Sequence, residues 1–130
     1  MNKIKKVLSA TLVAACILSC ANQGNVYAAC YGEVTGTLRE KSVYGKITCS
    51  EVAHHLTIVL NYKTMCTLTG VVKKRQARND TFGNNTMATK RADAGRHEST
   101  TFLNVIGKVD NVTKRSINIT SYGTTNREYW

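Results

Sequence analysis

Residues 55–63, His-Leu-Thr-Ile-Val-Leu-Asn-Tyr-Lys, alternate at every position but Val59: Leu56, Ile58, Leu60 and Tyr62 fall on one parity, His55, Thr57, Val59 and Asn61 on the other. Side chains of an extended strand point to opposite faces in turn, so this pattern predicts a strand with one face in a core and the other nearly polar. The run is short and rich in β-branched residues, which separates it from an amphipathic helix.

The same signature recurs on both sides. Residues 33–38 (EVTGTL) and 44–52 read as strands joined by a short turn, with Val43, Gly45, Ile47 and Cys49 on one face. On the C-terminal side, residues 65–72 place Cys66, Leu68 and Gly70 inward, and Lys63-Thr64 reads as the tight link of a hairpin. Alternation fails over residues 73–100, where polar and charged residues crowd around Phe82-Gly83-Asn84-Asn85, which predicts a long connection or a distorted edge. It resumes at 100–109 and at 115–122, where Ile117 and Ile119 oppose Ser116, Asn118 and Thr120. Nothing reads as a long helix. About six or seven short strands at this spacing predict an all-β domain, either an antiparallel sandwich or a small open barrel.

The N-terminal 28 residues have the grammar of an export signal. Lys3, Lys5 and Lys6 precede an uncharged apolar run over 7–20, and Val26-Tyr27-Ala28 supplies small residues at a cleavage point. That run is short for a membrane span. Two sites of lipid anchoring compete with release after Ala28: Val13-Ala14-Ala15-Cys16 has a lipobox form, and Cys20 precedes a polar stretch. Cleavage predicts one secreted domain, 29–130, with no transmembrane span in its mature form. Removing 28 of the 130 residues leaves 102, and three of the 18 basic residues go with them, so 15 oppose eight acidic ones, a net of +7. Outside a cell such a domain meets anionic lipids, wall polymers and acidic glycans, and Coulombic attraction speeds each encounter.

Of five cysteines, Cys16 and Cys20 fall in the signal, leaving Cys30, Cys49 and Cys66 in an oxidising setting. Cys49 and Cys66 both occupy inward positions, which favours a bridge between them with Cys30 left over. Such a bridge closes a loop of about 17 residues and contributes roughly 3 kcal/mol in the chain-entropy account.

Candidate chemistry is sparse. His54 and His55 are adjacent on a strand and point apart, which does not suit one metal ion. His97 lies beside Glu98 and near Asp93, the makings of an oriented base, but no nucleophile signature accompanies it. The carboxylates have no spacing that suits an acid–base pair. The expectation is a protein that is not an enzyme and uses no cofactor and no metal.

The strongest functional signal is basic. Lys73, Lys74, Arg75 and Arg78 follow one strand, and Lys90, Arg91 and Arg96 occupy the irregular segment after it, so the two groups are expected to gather at one rim. Arginine forks match phosphate and carboxylate oxygens, and lysines add less directional attraction. The chain ends Tyr129-Trp130, aromatics suited to sugar faces, to membrane interfaces or to closing the end of a sandwich. No recognition helix or aromatic platform points to specific nucleic acid.

The segment from Lys90 to His97, the strand containing Gly107 and the terminal Tyr129-Trp130 resemble the C-terminal portion of the lactococcin 972-like bacteriocins. That resemblance implies a β-sandwich and a secreted antibacterial that binds a cell-wall precursor and blocks septum formation. The chain departs from the family in its longer mature body and its cysteines, and no binding residue carries across. The functional expectation is a cationic bacterial protein that binds an anionic cell-envelope component, in its sharper form an antibacterial one. The alternative is a surface module that binds a glycan or a host.

Overall fold

The computed structural model describes residues 32–130. The expected signal, its lipidation and cleavage sites and Cys30 lie outside the described residues. Six antiparallel strands account for the regular structure: β1 (Gly32–Arg39), β2 (Ser42–Cys66), β3 (Val72–Asp93), β4 (Glu98–Val109), β5 (Val112–Ile119) and β6 (Thr125–Tyr129). Their order is β5-β4-β2-β1-β6, with β3 along the other edge of β2. The all-β expectation is met by one curled sheet, a half-barrel, in which two strands are long rather than short.

The 25 residues of β2 organise everything else. Its first part, residues 42–49, lies between β1 and the end of β3, and its second part, residues 56–65, lies between the start of β3 and β4. The register against β3 slips twice, between Thr48 and Ala53 and again between Ala53 and His55. Slips of this kind bend a strand and sharpen its twist. They also exchange the buried parity: Val43, Gly45, Ile47 and Cys49 are buried before the bend, and Leu56, Ile58, Leu60 and Tyr62 after it. The sheet therefore folds over its own inner face. Val34, Leu38, Val43 and Ile47 on one half meet Leu60, Leu103, Val105, Ile117 and Ile119 on the other, all with 2 % or less of their surface exposed.

The two halves approach so closely that one position admits no side chain. A Cβ on Gly107 would come within 2.5 Å of Val34 Cγ2 and 2.9 Å of Ile47 Cδ1. The open ends of the curl are tied by a side chain: Arg115 of β5 donates from Nη2, at 2.6 Å, and from Nε, at 3.1 Å, to the Tyr129 carbonyl of β6.

Two expectations change, and of the two readings of residues 73–100 the distorted edge is the one met. The hairpin does not turn at Lys63-Thr64; β2 runs on to Cys66, and the turn is formed by residues 67–71, with Gly70 at φ 77° and its N–H on the Cys66 carbonyl at 2.7 Å. Leu68 accordingly points to solvent and not inward. The irregular stretch after Lys73 is the 22-residue edge strand β3, and Gly83, at φ 89°, sits opposite the bend of β2. Finally, Cys49 and Cys66 are not bonded to each other. Cys49 pairs with Gly32 near the bend, whereas Cys66 pairs with Glu98 at the turn end. On the order of 40 Å of extended chain separates the bend from Cys66, against Cα atoms within about 7 Å for a disulfide.

Candidate functional site

The outward parity of β2 after the bend lies in register with β3 on one side and with β4, and through it β5, on the other. Register aligns Gln76 of β3, Asn61 of β2, Asn104 of β4 and Asn118 of β5 in one row. Their amides are linked: Gln76 Nε2 donates to Asn61 Oδ1 at 2.7 Å, and Asn104 Nδ2 donates to Asn118 Oδ1 at 2.8 Å. The next row toward the turn is Lys74, Lys63 and Phe102. Lys63 Nζ stands 5.5 Å from the Phe102 ring centroid, a cation over an aromatic face. The two rows border a cleft of about 310 Å³ lined by Asn61, Tyr62, Lys63, Lys74, Arg75 and Phe102. No carboxylate among the described residues pairs with Lys63 or Lys74.

The basic residues expected at one rim are divided among several places. Lys74 and Arg78 share the outer face just described, whereas Lys73 and Arg75 take the opposite parity of β3. Arg75 is committed: its Nη2 meets both Glu98 oxygens at 2.9 and 3.1 Å, and its Nε donates to buried Thr64 Oγ1 at 3.0 Å. Burial pushes the Glu98 carboxyl up, but the Gly95 N–H and the Arg75 guanidinium outweigh it and leave its pKa below the usual value. Lys90 and Arg91 belong to the other half of the sheet, opposite Gly45 and Tyr44. There Arg91 pairs with Asp93 at 3.2 Å and borders a second cleft with Thr37, Arg39, Ser42 and Tyr44. Arg96 is exposed in the turn between β3 and β4.

Arg78 is also committed, to a cluster the sequence did not announce. Its Nε donates to Asp80 Oδ2 at 2.7 Å, while Thr57 Oγ1 donates to Oδ1 at 2.6 Å and His55 Nε2 lies 2.8 Å from the same oxygen. The His55 ring stacks on Phe82 with centroids 4.3 Å apart. The Arg78 guanidinium first, then Thr57 and His55, hold the Asp80 carboxyl far below the usual carboxylate range. A carboxylate with a depressed folded pKa stabilises the fold above its unfolded pKa of about 3.9, and that stability is lost as pH falls below it. Acid titration of the urea midpoint is therefore expected to show a fall below about pH 4 that Asp80→Asn flattens. An unchanged acid limb in that variant refutes the assignment.

Tyr129 lies half-exposed on β6 opposite Glu33. Trp130 bonds back through its N–H to the Gly32 carbonyl at 3.2 Å, and its ring stands where a Cβ on Gly32 would come within 2.8 Å. The terminal aromatics thus belong to the end of the fold and are remote in register from the lysine cleft. His97, at φ 59°, is not assembled with its expected neighbours, because Glu98 serves Arg75 and Asp93 serves Arg91. Among the described residues no three His, Cys, Asp or Glu side chains converge as a metal site, and no helix is long and apolar enough to cross a membrane.

Lys63, Asn61, Gln76, Phe102, Asn104 and Asn118 were not singled out by sequence as a site. Parity had marked Asn61 as outward, but only the register of β3, β4 and β5 shows what stands beside it. No protein-family model, no curated protein and no solved structure matches this chain.

Proposed function

We propose that this domain is a binding module, not an enzyme, whose β3-β2-β4-β5 face takes a phosphate- or carboxylate-bearing component of a cell envelope. The observation that carries this reading is Lys63 directly opposite Lys74 in the lining of the cleft. Like charges in register on neighbouring strands repel, and here no acidic side chain among the described residues offsets them. An anion between the two ammonium groups removes that repulsion. Ammonium groups are less directional than guanidinium forks, so they tolerate the varied geometry of a polymer backbone. The amide row beside them offers both donors and acceptors to hydroxyl-bearing repeats, and Phe102 offers an apolar edge. Lys73 and Arg96, outside the cleft, add long-range attraction.

The reading is tested by titrating the purified protein with isolated envelope fractions and with soluble polyphosphate at low and high salt. Lys63→Gln with Lys74→Gln is expected to weaken binding by about tenfold or more and to reduce its salt dependence. Arg91→Gln, on the other half of the sheet, is expected to leave binding within about twofold. Equal affinity of the double variant and the unaltered protein refutes the cleft.

A further inference from the structure

The turn that closes the β2–β3 hairpin carries Leu68 and Val71 beside Thr67, Thr69 and Gly70, and Val72 opens the strand after it, where such turns are ordinarily built of Gly, Asn, Asp and Ser. Leu68 is 73 % exposed, Val71 55 % and Val72 53 %. These three aliphatic side chains crowd a single tip. The tip is held in shape: the Cys66 N–H donates to the Val71 carbonyl at 2.8 Å, and the Thr67 N–H donates to the His97 carbonyl at 2.8 Å. Its exposed apolar surface is thus presented by a braced hairpin.

A cationic collar lies directly beneath. Met65 and Val72 are the last pair before the turn, Lys73 faces Thr64 in the next, and Lys63 faces Lys74 in the one after. Two residues of strand, about 7 Å, therefore separate the apolar tip from the lysine cleft. Arg96 is exposed in the turn whose His97 carbonyl braces the tip. The nearby acid, Glu98, is neutralised by Arg75. A water-soluble anionic polymer satisfies the collar and leaves the tip in water. A bilayer with anionic headgroups satisfies both, because interfacial elements bury apolar groups about 5–10 Å into the headgroup and acyl boundary while lysines remain at the phosphates.

We propose that the β2–β3 hairpin inserts Leu68, Val71 and Val72 into the surface of an anionic lipid bilayer, with Lys63, Lys73 and Lys74 on the headgroup phosphates. The inference rests on the anion-binding reading of the lysine cleft and names the lipid surface as the source of the anion. The arrangement holds the protein on one leaflet through a single tip.

The purified protein is sedimented with vesicles of phosphatidylcholine alone and of phosphatidylcholine mixed with phosphatidylglycerol, and titrated separately with soluble polyphosphate. The expected result is binding to the mixed vesicles that falls about tenfold or more in a Leu68→Ser, Val71→Ser, Val72→Ser variant. Polyphosphate binding by that variant is expected to stay within about twofold, since the cleft is intact. All three side chains are exposed, so the far-ultraviolet spectrum should not change, and Leu68→Trp should be quenched by acyl-brominated lipid beyond the Trp130 signal of the unaltered protein. Unchanged vesicle binding in the serine variant, or no added quenching, overturns insertion. Polyphosphate binding without vesicle binding by the unaltered protein also overturns it and leaves the cleft standing. Vesicle binding lost in the serine variant but kept in Lys63→Gln with Lys74→Gln supports insertion of the tip, and overturns both the placement of Lys63 and Lys74 on the headgroups and the cleft.

Discussion

Leu60→Ala is expected to lower the unfolding free energy by about 2–5 kcal/mol, the range for truncating a fully buried leucine. Leu60 is fully buried, at the point where the second half of β2 meets the first: its Cδ2 lies 2.5 Å from where a Cβ on Gly45 would stand. Because Gly45 has no side chain to move into the space, the cavity left by the truncation stays open. Domains of this size have about 5–15 kcal/mol in all, so the loss is a large share of the total. Asn61→Ala, one residue along the same strand and outward, removes one exposed hydrogen bond to Gln76 and is expected to cost about 1 kcal/mol or less. Urea midpoints at constant m-value measure both. A Leu60→Ala cost no greater than that of Asn61→Ala contradicts the assignment of the buried parity.

That contrast of neighbouring positions is the part of the fold most legible in the sequence. Alternation of polarity marks residues 56–62, where Leu56, Ile58, Leu60 and Tyr62 face the core and Thr57 and Val59 are buried on the other face, and it returns at Leu103, Val105, Ile117 and Ile119. It disappears in β3 for a physical reason. That strand runs along one edge of β2, and of its 22 residues only Ala88 is buried, so selection for burial writes no period into it. The turn was misplaced for a related reason. Lys63 is polar because it faces out of a continuing strand, and the true turn carries Leu68 and Val71, residues that imitate a strand. The disulfide expectation failed at the same point, since Cys49 and Cys66 share an inward tendency but sit far apart along one strand.

The basic residues divide along similar lines. Sequence spacing is enough to separate Lys74 and Arg78 from Lys73 and Arg75 by parity once β3 is known to be extended. It does not show that Arg75 is bound to Glu98, or Arg78 to Asp80, and a guanidinium already bridged to a carboxylate has less to offer a ligand. The charges left for a partner are the lysines and Arg96, and the one at the centre, Lys63, comes from the outward parity of the very strand whose inward parity forms the core. Site and fold are thus two faces of residues 55–63.

Gly107→Ala is expected to destabilise by about 1–3 kcal/mol although it adds a single methyl group. Relative helix or strand propensity favours the alanine, so a loss of stability isolates the packing term. The new Cβ would stand 2.5 Å from Val34 Cγ2 and 2.9 Å from Ile47 Cδ1. Both neighbours are fully buried, and β-branched side chains have few rotamers into which to retreat. The two halves of the curled sheet must therefore part, which loosens contacts well beyond position 107. Val34→Ala removes the obstructing methyl groups, so the double variant Gly107→Ala with Val34→Ala is expected to be more stable than the sum of the two single losses. A coupling of about 0.5 kcal/mol or more in that cycle is the signature of direct contact. Strict additivity would mean that β1 and β4 do not face each other across the core, and the closure of the half-barrel over its inner face would have to be abandoned.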